Sequence, residues 1–503
     1  MEYRFVCLAV LLLVIPDQVQ AGNILVLAFP AYSHIKPLLN VVNSLANTYR
    51  HKSTFVMNEQ FAKLIKEDYY TSVVVPTLYK DLTVDSTVSP MIKDVCNQGV
   101  KVHVLEFRRI LINMYDTLLG DEDLISDLQN RNFDLALIDN TIPGFVVLAY
   151  KLGIPYVEVG PMYLPVRTRV PFMPSVHPTF NLLGFFNEMT FIQRLANLLV
   201  AMLITISPNP LYPSNMVERY VPEKPDVSLD VLHRRAAFHL IDSEFILDFP
   251  KPMLPNMEFV GGLSTEKPQP LTQELDLFMD SATTGVIIVS FGSVAKTLPV
   301  DRMMKLIGVF KKIQNVKFVL RYGTDTNITG NVLLMPWVPQ NDLLGHPKTV
   351  AFITHCGNSG LYEGLNNAVP MIGLPLFGDQ FFNCRKMASK GFGIAADFCS
   401  FTDSELSNII QDILTNSTYK ETIRKASRIF HGQQGTPSER AAFWIDHVME
   451  HGGEYLQSPE VDMPMYKFYL IDVFLCMTFC IFVMIKCCSR LSRYCRKSKV
   501  KTD

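Results

Sequence analysis

Two blocks of this chain alternate short apolar runs with amphipathic helical stretches, and that alternation leaves few folds open. In the first block Ile24-Leu-Val-Leu-Ala-Phe29 reads as a buried strand stopped by Pro30. Ser33 then opens a helix with Pro37 in its first turn and Ile35, Leu38, Leu39, Val42 and Leu45 on one face. Thr54-Phe-Val-Met57 returns as a strand. Phe133-Asp-Leu-Ala-Leu-Ile138 repeats the strand pattern and terminates in Asp139. The second block carries the apolar runs Val286–Val289, Val316–Leu320, Ala351–Thr354 and Met371–Leu374, with helical patterns between them. Such alternation predicts an α/β fold of two Rossmann-like, doubly wound domains. Pro250, Pro252, Pro255, Pro268 and Pro270, around Gly261-Gly262, mark a linker between the blocks. The expected body is an N-terminal domain over 22–245, a linker over 246–282 and a C-terminal domain over 283–452. The cleft at the linker is the default place for a ligand.

The chain is 48% apolar and only 19% charged, so burial or membrane contact must be extensive. Both ends explain the excess. Arg4 precedes the run Phe5–Ile15, and Val19-Gln20-Ala21 follows as a cleavage site, so residues 1–21 read as a secretory signal peptide. Near the other end, the 18 residues Phe468–Ile485 are interrupted only by Asp472. At about 1.5 Å per residue they reach about 27 Å, enough to cross a bilayer. Lys486, Arg490, Arg493, Arg496, Lys497, Lys499 and Lys501 follow them, the positive-inside signature. The expected topology is a single-pass type I protein with a transmembrane helix over 466–488, a cytosolic basic tail over 489–503 and a luminal body. The spacing of Lys499 and Lys501 from the C-terminus resembles an endoplasmic-reticulum retrieval signal. A second apolar stretch, Leu195–Ile206, is too short to span, and both a core helix and an interfacial segment are open readings.

With 46 basic and 48 acidic side chains the chain exerts no long-range pull on phosphate backbones, which argues against nucleic acid as a partner. Ten cysteines sort by compartment. Cys7 leaves with the signal, and Cys476, Cys480, Cys487, Cys488 and Cys495 lie in or beside the span. Only Cys96, Cys356, Cys384 and Cys399 remain in the lumen, where one bridge is open but unnamed. Asn327-Ile-Thr329 and Asn416-Ser-Thr418 are N-glycosylation sequons. Asp121-Glu-Asp123 reads as a solvated helix start rather than a metal site. His447 and His451 lack the third ligand that zinc needs. Neither a P-loop nor a dinucleotide fingerprint is present.

The informative chemistry lies between Trp337 and Gln380. Strand 351–354 ends in His355-Cys-Gly357-Asn-Ser-Gly360, a polar turn that opens a helix. Unpaired backbone N–H groups at such a helix start, with His355 beside them, suit a diphosphate. Trp337 could stack a base, while Glu363, Asp379 and Gln380 suit hydroxyls.

This segment resembles the signature of the family-1 UDP-glycosyltransferases, and most closely the membrane-bound animal UDP-glucuronosyltransferase branch. The resemblance continues through Met189-Thr-Phe191 with Arg194 and Asn197, Asp248-Phe-Pro250, Ser290-Phe-Gly-Ser293, Gln340 to Pro347 and Arg440-Ala-Ala-Phe-Trp444. It implies a GT-B fold, with the acceptor in the N-terminal domain and the UDP-sugar mainly in the C-terminal one. It also implies a final helix, around Ser438 to Met449, that returns to the first domain. Carried over residue by residue, Trp337 would stack on uracil, Gln340 would bond its edge and Glu363 would hold the ribose. Ser293, His355, Gly357, Asn358, Ser359 and Gly360 would meet the diphosphate, and Asp379 and Gln380 the sugar. His34 takes the place of the catalytic base and Asp139 that of its partner.

The resemblance implies transfer of glucose or glucuronic acid from a UDP-sugar to a hydroxyl of a small lipophilic acceptor, with inversion. It implies no metal and no cofactor, the UDP-sugar being a co-substrate, and places the protein in the endoplasmic-reticulum membrane. Membrane lipid and a second copy of the chain stand as further expected partners. Two rival readings stay open: a glycosyltransferase of ceramide or sterol, and a UDP-sugar-binding protein that has lost catalysis. Two residues depart from the family pattern. Cys356 stands where animal members usually have glycine. Ser359 stands where the family usually has asparagine, which here comes one place early at Asn358.

Overall fold

The computed structural model describes residues 21–76, 96, 101–179, 188–207, 209, 212–292 and 298–499. Residues 1–20 of the expected signal peptide, Ser293 and Lys501 lie outside them. Two compact units emerge, Met1–Leu456 and Gln457–Asp503.

The larger unit holds two sheets. The first contains β1 (Asn23–Leu27), β2 (Lys52–Val56), β3 (Thr71–Val74), β4 (Leu135–Asp139), β5 (Tyr156–Gly160), β6 (Phe238–Ile241) and β7 (Met257–Phe259). They lie in the order β3-β2-β1-β4-β5-β6-β7, every pair parallel. The second contains β8 (Val286–Ser290), β9 (Lys317–Arg321), β10 (Asn327–Thr329), β11 (Val332–Met335), β12 (Thr349–Thr354), β13 (Met371–Gly373) and β14 (Gly393–Ala395). Their order is β10-β11-β9-β8-β12-β13-β14, parallel except for the β10–β11 edge pair. Each sheet therefore reverses its winding once, beside β1 in the first and beside β8 in the second. The crevice beyond the strand ends at such a reversal is where open sheets bind ligands.

Parallel strands covered on both faces must be apolar on both. In β1, Leu25 and Leu27 pack with Leu111, Met114 and Phe145, while Ile24 and Val26 pack with Leu38, Val42 and Leu45 of α1 (Tyr32–Tyr49) on the opposite face. The expected linker, 246–282, is more structured than its prolines suggested. It contributes β7, with Met257 and Phe259 buried, to the first sheet and a helix at Gln273–Asp280, and Val260 and Leu263 join the first core.

Four further helices matter for the site or its surroundings. They are α2 (Phe191–Ile206), α3 (Asn358–Asn366), α4 (Gln380–Ser389) and α5 (Pro437–His451). Helix α5 starts with a capping box of Thr436 and Glu439 around Pro437. It buries Ala441, Ala442, Ile445 and Val448 in the core of the first sheet, stacks Trp444 on Phe238 at 4.6 Å, and pairs Asp446 with the buried His51 at 2.9 Å. The second domain's last helix thus completes the first domain's core, as the resemblance implied.

Helix α2 is not a core helix. Phe191, Ile192, Leu195, Leu198, Leu199, Met202, Leu203 and Ile206 are exposed, and only Asn197 and Ala201 are buried. Asn197 donates to the carbonyls of Pro174 and His177 and accepts from the Thr179 N–H, which pins one face of the helix to the loop before it. Among the described residues one disulfide is formed, joining Cys96 to Cys399, from the first block of sequence to the second. In the smaller unit, α6 (Ile471–Lys499) includes a 24-residue stretch, Ile471–Tyr494, whose most apolar 18 residues have a mean hydropathy of 2.2 and are not buried. Among the described residues it is the one helix long and apolar enough to cross a membrane.

Candidate active site

The two crevices are furnished differently. In the first, β1 already ends at Leu27, short of the expected stop at Pro30, and α1 begins after Ala31 without a side-chain cap. Its third residue, His34, meets Asp139 at the end of β4, with Nδ1 to Oδ2 at 2.8 Å. Asp139 is 2% exposed, and its remaining lone pairs accept from the N–H groups of Phe29 and Thr141 at 3.2 and 2.9 Å. Burial by itself would lower the His34 pKa. The carboxylate of Asp139 outweighs it and leaves the imidazole above its ordinary value. Burial would likewise raise Asp139, and His34 with the hydrogen bonds of Thr141 holds it below the usual carboxylate range. With Nδ1 engaged by the carboxylate, Nε2 is the nitrogen left to take a proton.

In the second crevice, β12 runs into His355 and α3 starts at Asn358, capped by the backbone of Gly357 and by no side chain. The glycines on either side make room for the imidazole. A Cβ on Gly357 would lie 2.6 Å from Nε2 of His355, and one on Gly292 (φ +67°) 2.9 Å from its Cε1. Burial pushes the His355 pKa down to about 4, and the Arg321 guanidinium adds to the effect. The ring is neutral near pH 7, so it can offer an N–H to an anion but no positive charge. Cys356 sits at φ +64°, the left-handed region where glycine is at ease, so the backbone here suits the glycine that the resemblance led one to expect.

Around these two centres the structure gathers the remaining candidates. Trp337, just past β11, is 48% exposed, with the Arg321 guanidinium 4.1 Å from its ring centroid and Tyr32 of α1 edge-on at 5.3 Å. Gln340 donates to Glu363 of α3 at 2.6 Å, and burial pushes the Glu363 carboxyl up to about 7. Asp379 precedes α4 and faces solvent, with Asn383 donating to it at 2.6 Å. Gln380 is buried and accepts at its carbonyl from the Leu376 and Phe377 N–H groups, so what it retains for a sugar hydroxyl is its amide nitrogen. Tyr32 of α1 against Trp337 brings the two crevices side by side, and the charges of Asp379 and Asp242 act on His34 across the gap.

Ser293 lies outside the described residues. Asn327 and Asn416, the sequon asparagines, are exposed. Asp121 caps a helix through the Leu124 N–H, as expected, and no cluster of three metal ligands occurs among the described residues.

Sequence reasoning missed Tyr32, Arg321 and Asp242, whose importance depends on partners far away in the chain. It also missed a buried ion cluster in the first sheet. There Glu158 of β5 takes Nδ1 of both His233 and His239, and those partners hold its carboxyl down at about 2 against the effect of burial. This cluster borders a chamber of about 20 Å³ beside Asn140, room for one water molecule rather than a substrate.

Comparison with known proteins agrees with the fold. Residues 22–502 match the family described as UDP-glucuronosyl and UDP-glucosyl transferase. UDP-glucuronosyltransferase 1A5 of Rattus norvegicus is 32% identical over 507 residues, covering 95% of this chain and 93% of the relative. UDP-glucuronosyltransferase 1A6 of Mus musculus is 33% identical over 414 residues, 78% of this chain and 77% of the relative. Among solved structures, Arabidopsis thaliana UGT89C1 complexed with UDP-L-rhamnose superposes with a TM-score of 0.57 at 15% identity, over 86% of this chain and 99% of that one. That likeness is one of fold, the two-domain GT-B arrangement.

Proposed function

Because this chain belongs to the UDP-glucuronosyl and UDP-glucosyl transferase family and is a UDP-glycosyltransferase, we propose that it moves glucose or glucuronic acid from UDP onto a hydroxyl of a small lipophilic acceptor, inverting the anomeric carbon. The observation that carries this reading is the His34–Asp139 pair at the mouth of the cleft. Nε2 of His34 takes the acceptor proton. The acceptor oxygen forms its bond to the anomeric carbon as the bond to the diphosphate breaks, and UDP leaves with the electron pair. Asp139 holds the imidazole in the required tautomer and stabilises the imidazolium that forms. The charge growing on the leaving group is met by the uncapped N–H groups at the start of α3 and by neutral His355. No step in this scheme calls for a metal.

Donor binding falls to the second domain. Uracil stacks on Trp337 with Gln340 at its edge, and Glu363 takes the ribose hydroxyls. Asp379 and the amide of Gln380 take the sugar. The test is UDP release from UDP-glucose and from UDP-glucuronic acid, each with a phenol, a sterol and ceramide as acceptor. Glycosylated phenol with either donor supports the reading. Turnover only with ceramide or sterol would replace it by lipid glycosylation, and no UDP release with any pair would leave a binding protein.

We further propose a luminal body anchored by α6 in the endoplasmic-reticulum membrane, with the apolar face of α2 seated at the bilayer interface. Eight large apolar side chains on one 16-residue helix favour this. Chain ended after Glu460 should still pellet with membranes and be released by detergent but not by salt. Full solubility would remove the second contact and leave the single span standing.

A further inference from the structure

The misplaced asparagine of the phosphate-facing turn has a partner in the other domain. Nδ2 of Asn358, the first residue of α3, donates to Asp242 at 3.1 Å, both to its side-chain Oδ2 and to its backbone carbonyl. Asp242 follows β6 in the first sheet and is 5% exposed. Its other oxygen, Oδ1, accepts from the N–H groups of Gly262 and Leu263 at 2.8 and 3.2 Å. The carbonyl of Leu263 in turn accepts from Asn40 of α1 at 2.9 Å. An unbroken line of hydrogen bonds thus runs from the helix that carries His34, through the Gly261-Gly262 turn and Asp242, to the first residue of the helix that begins beside His355. The turn is itself jammed against α3, since a Cβ on Gly261 would lie 2.4 Å from the Tyr362 hydroxyl.

Building on the transferase reading above, we propose that Asp242 and Asn358 form a latch across the cleft that sets the start of α3 against α1. They are positioning residues for the reaction rather than side-chain contacts to the donor. The argument is one of satisfied valences. A buried carboxylate needs donors for its lone pairs, and the Asn358 amide donates to Oδ2, the oxygen that the Gly262 and Leu263 N–H groups leave. An amide committed in this way is turned toward the first domain. The diphosphate is left with the backbone N–H groups at the helix start, and the side chain fixes where those groups lie relative to Nε2 of His34. In a displacement whose two reactants sit on different domains, that register decides whether acceptor oxygen, anomeric carbon and leaving oxygen line up. Misplacement by about 1 Å lowers turnover by about 10²-fold without removing any binding group.

The experiment is a double-mutant cycle in the full-length membrane protein, with Asn358→Ala, Asp242→Asn and the pair. Three quantities are read: kcat for UDP release, the affinity for UDP-sugar by titration, and the thermal unfolding midpoint. Each single variant is expected to lower kcat by about 10–100-fold while UDP-sugar affinity stays within about threefold. The pair should be no worse than the more severe single, because both remove one shared interaction. A fall in UDP-sugar affinity that tracks kcat would overturn the latch and make Asn358 a donor contact. Multiplying effects, or two singles at wild-type rates, would overturn it as well. Asn358→Ala lies at a partly exposed helix start and carries the kinetic test by itself should Asp242→Asn fail to fold. If the wild-type protein releases no UDP from any donor, the transferase reading fails instead. The latch is then decided by the unfolding midpoints, where non-additive shifts uphold it and additive shifts overturn it.

Discussion

Each sheet places a histidine at its winding reversal, and the two imidazoles are prepared for opposite tasks. His34 follows β1, lies against a buried carboxylate and is held above the ordinary imidazole pKa. His355 follows β12, lies between glycines and an uncapped helix, and is held down at about 4. One architecture, used twice, therefore yields a proton acceptor on one side of the cleft and a neutral hydrogen-bond donor on the other. What separates them is the residue across the crevice: a carboxylate for His34, and burial with the Arg321 guanidinium nearby for His355. The lesson is that strand-end position marks a site, while the partner across the crevice sets its chemistry.

The largest expected effect tests the first half of that contrast. His34→Ala should lower kcat by about 10²–10⁴-fold while UDP-sugar affinity, which belongs to the other crevice, stays near wild type. Single-turnover rates set beside UDP-sugar titration decide it, and near-normal turnover in a folded variant would end the assignment of His34 as base. Asp139→Asn should come next. Without the carboxylate, burial is left as the main influence on His34, so its pKa falls. The acid limb of kcat/KM, which reports the loss of the unprotonated base, should then move to lower pH as the maximal rate drops by about 10²-fold or more. An acid limb that stays in place would mean the pair does not titrate together.

Trp337→Ala addresses the second crevice. Loss of one base–aromatic stack should weaken UDP-sugar binding by about 1–3 kcal/mol and leave acceptor affinity unaffected. Equal UDP affinities in variant and wild type would make the ring a packing partner of Tyr32 and Arg321 and nothing more.

How much of this was legible in the sequence depends on how locally each feature is determined. β1, β4, β8 and β12 are central strands, buried on both faces, and so appear as unbroken apolar runs. β5 and β6 were not read, because Glu158 and His239 interrupt them, and a buried carboxylate is intelligible only once its histidine partners are in place. β3, β7, β10 and β14 are short strands at or near sheet edges with too few residues to show a period. The same division runs through the site. His34, His355 and Glu363 belong to one contiguous motif or strand end each. Asp242 gains its meaning from Gly262, 20 residues on, and from Asn358, 116 residues on, and no local pattern announces that. The Cys96–Cys399 bridge, spanning 303 residues, is the extreme case.

The smallest expected effect is a near absence, and it sharpens the comparison most. If His355 is neutral in the working range, UDP-sugar affinity should carry no trace of its titration between about pH 5.5 and 8, because its pKa lies near 4. Glu363 does titrate in that range, its carboxyl having been pushed up to about 7 by burial. The two groups would act with opposite signs. An ionised Glu363 accepts ribose hydroxyls better than a protonated one, so its contribution strengthens binding as pH rises through 7. An imidazolium at His355 would attract the diphosphate, so its contribution would strengthen binding as pH falls. UDP-sugar is the right probe because its diphosphate, esterified at both ends, has no proton to gain over this interval. His34, held above the ordinary imidazole pKa, adds a charge of its own as pH falls, so the comparison is made in the His34→Ala background. That variant should bind UDP-sugar more tightly at pH 8 than at pH 6, and His34→Ala with Glu363→Gln should bind it equally at both. Tighter binding at the lower pH in the double variant would show a charged His355, and with it the distinction between the two histidines would fail.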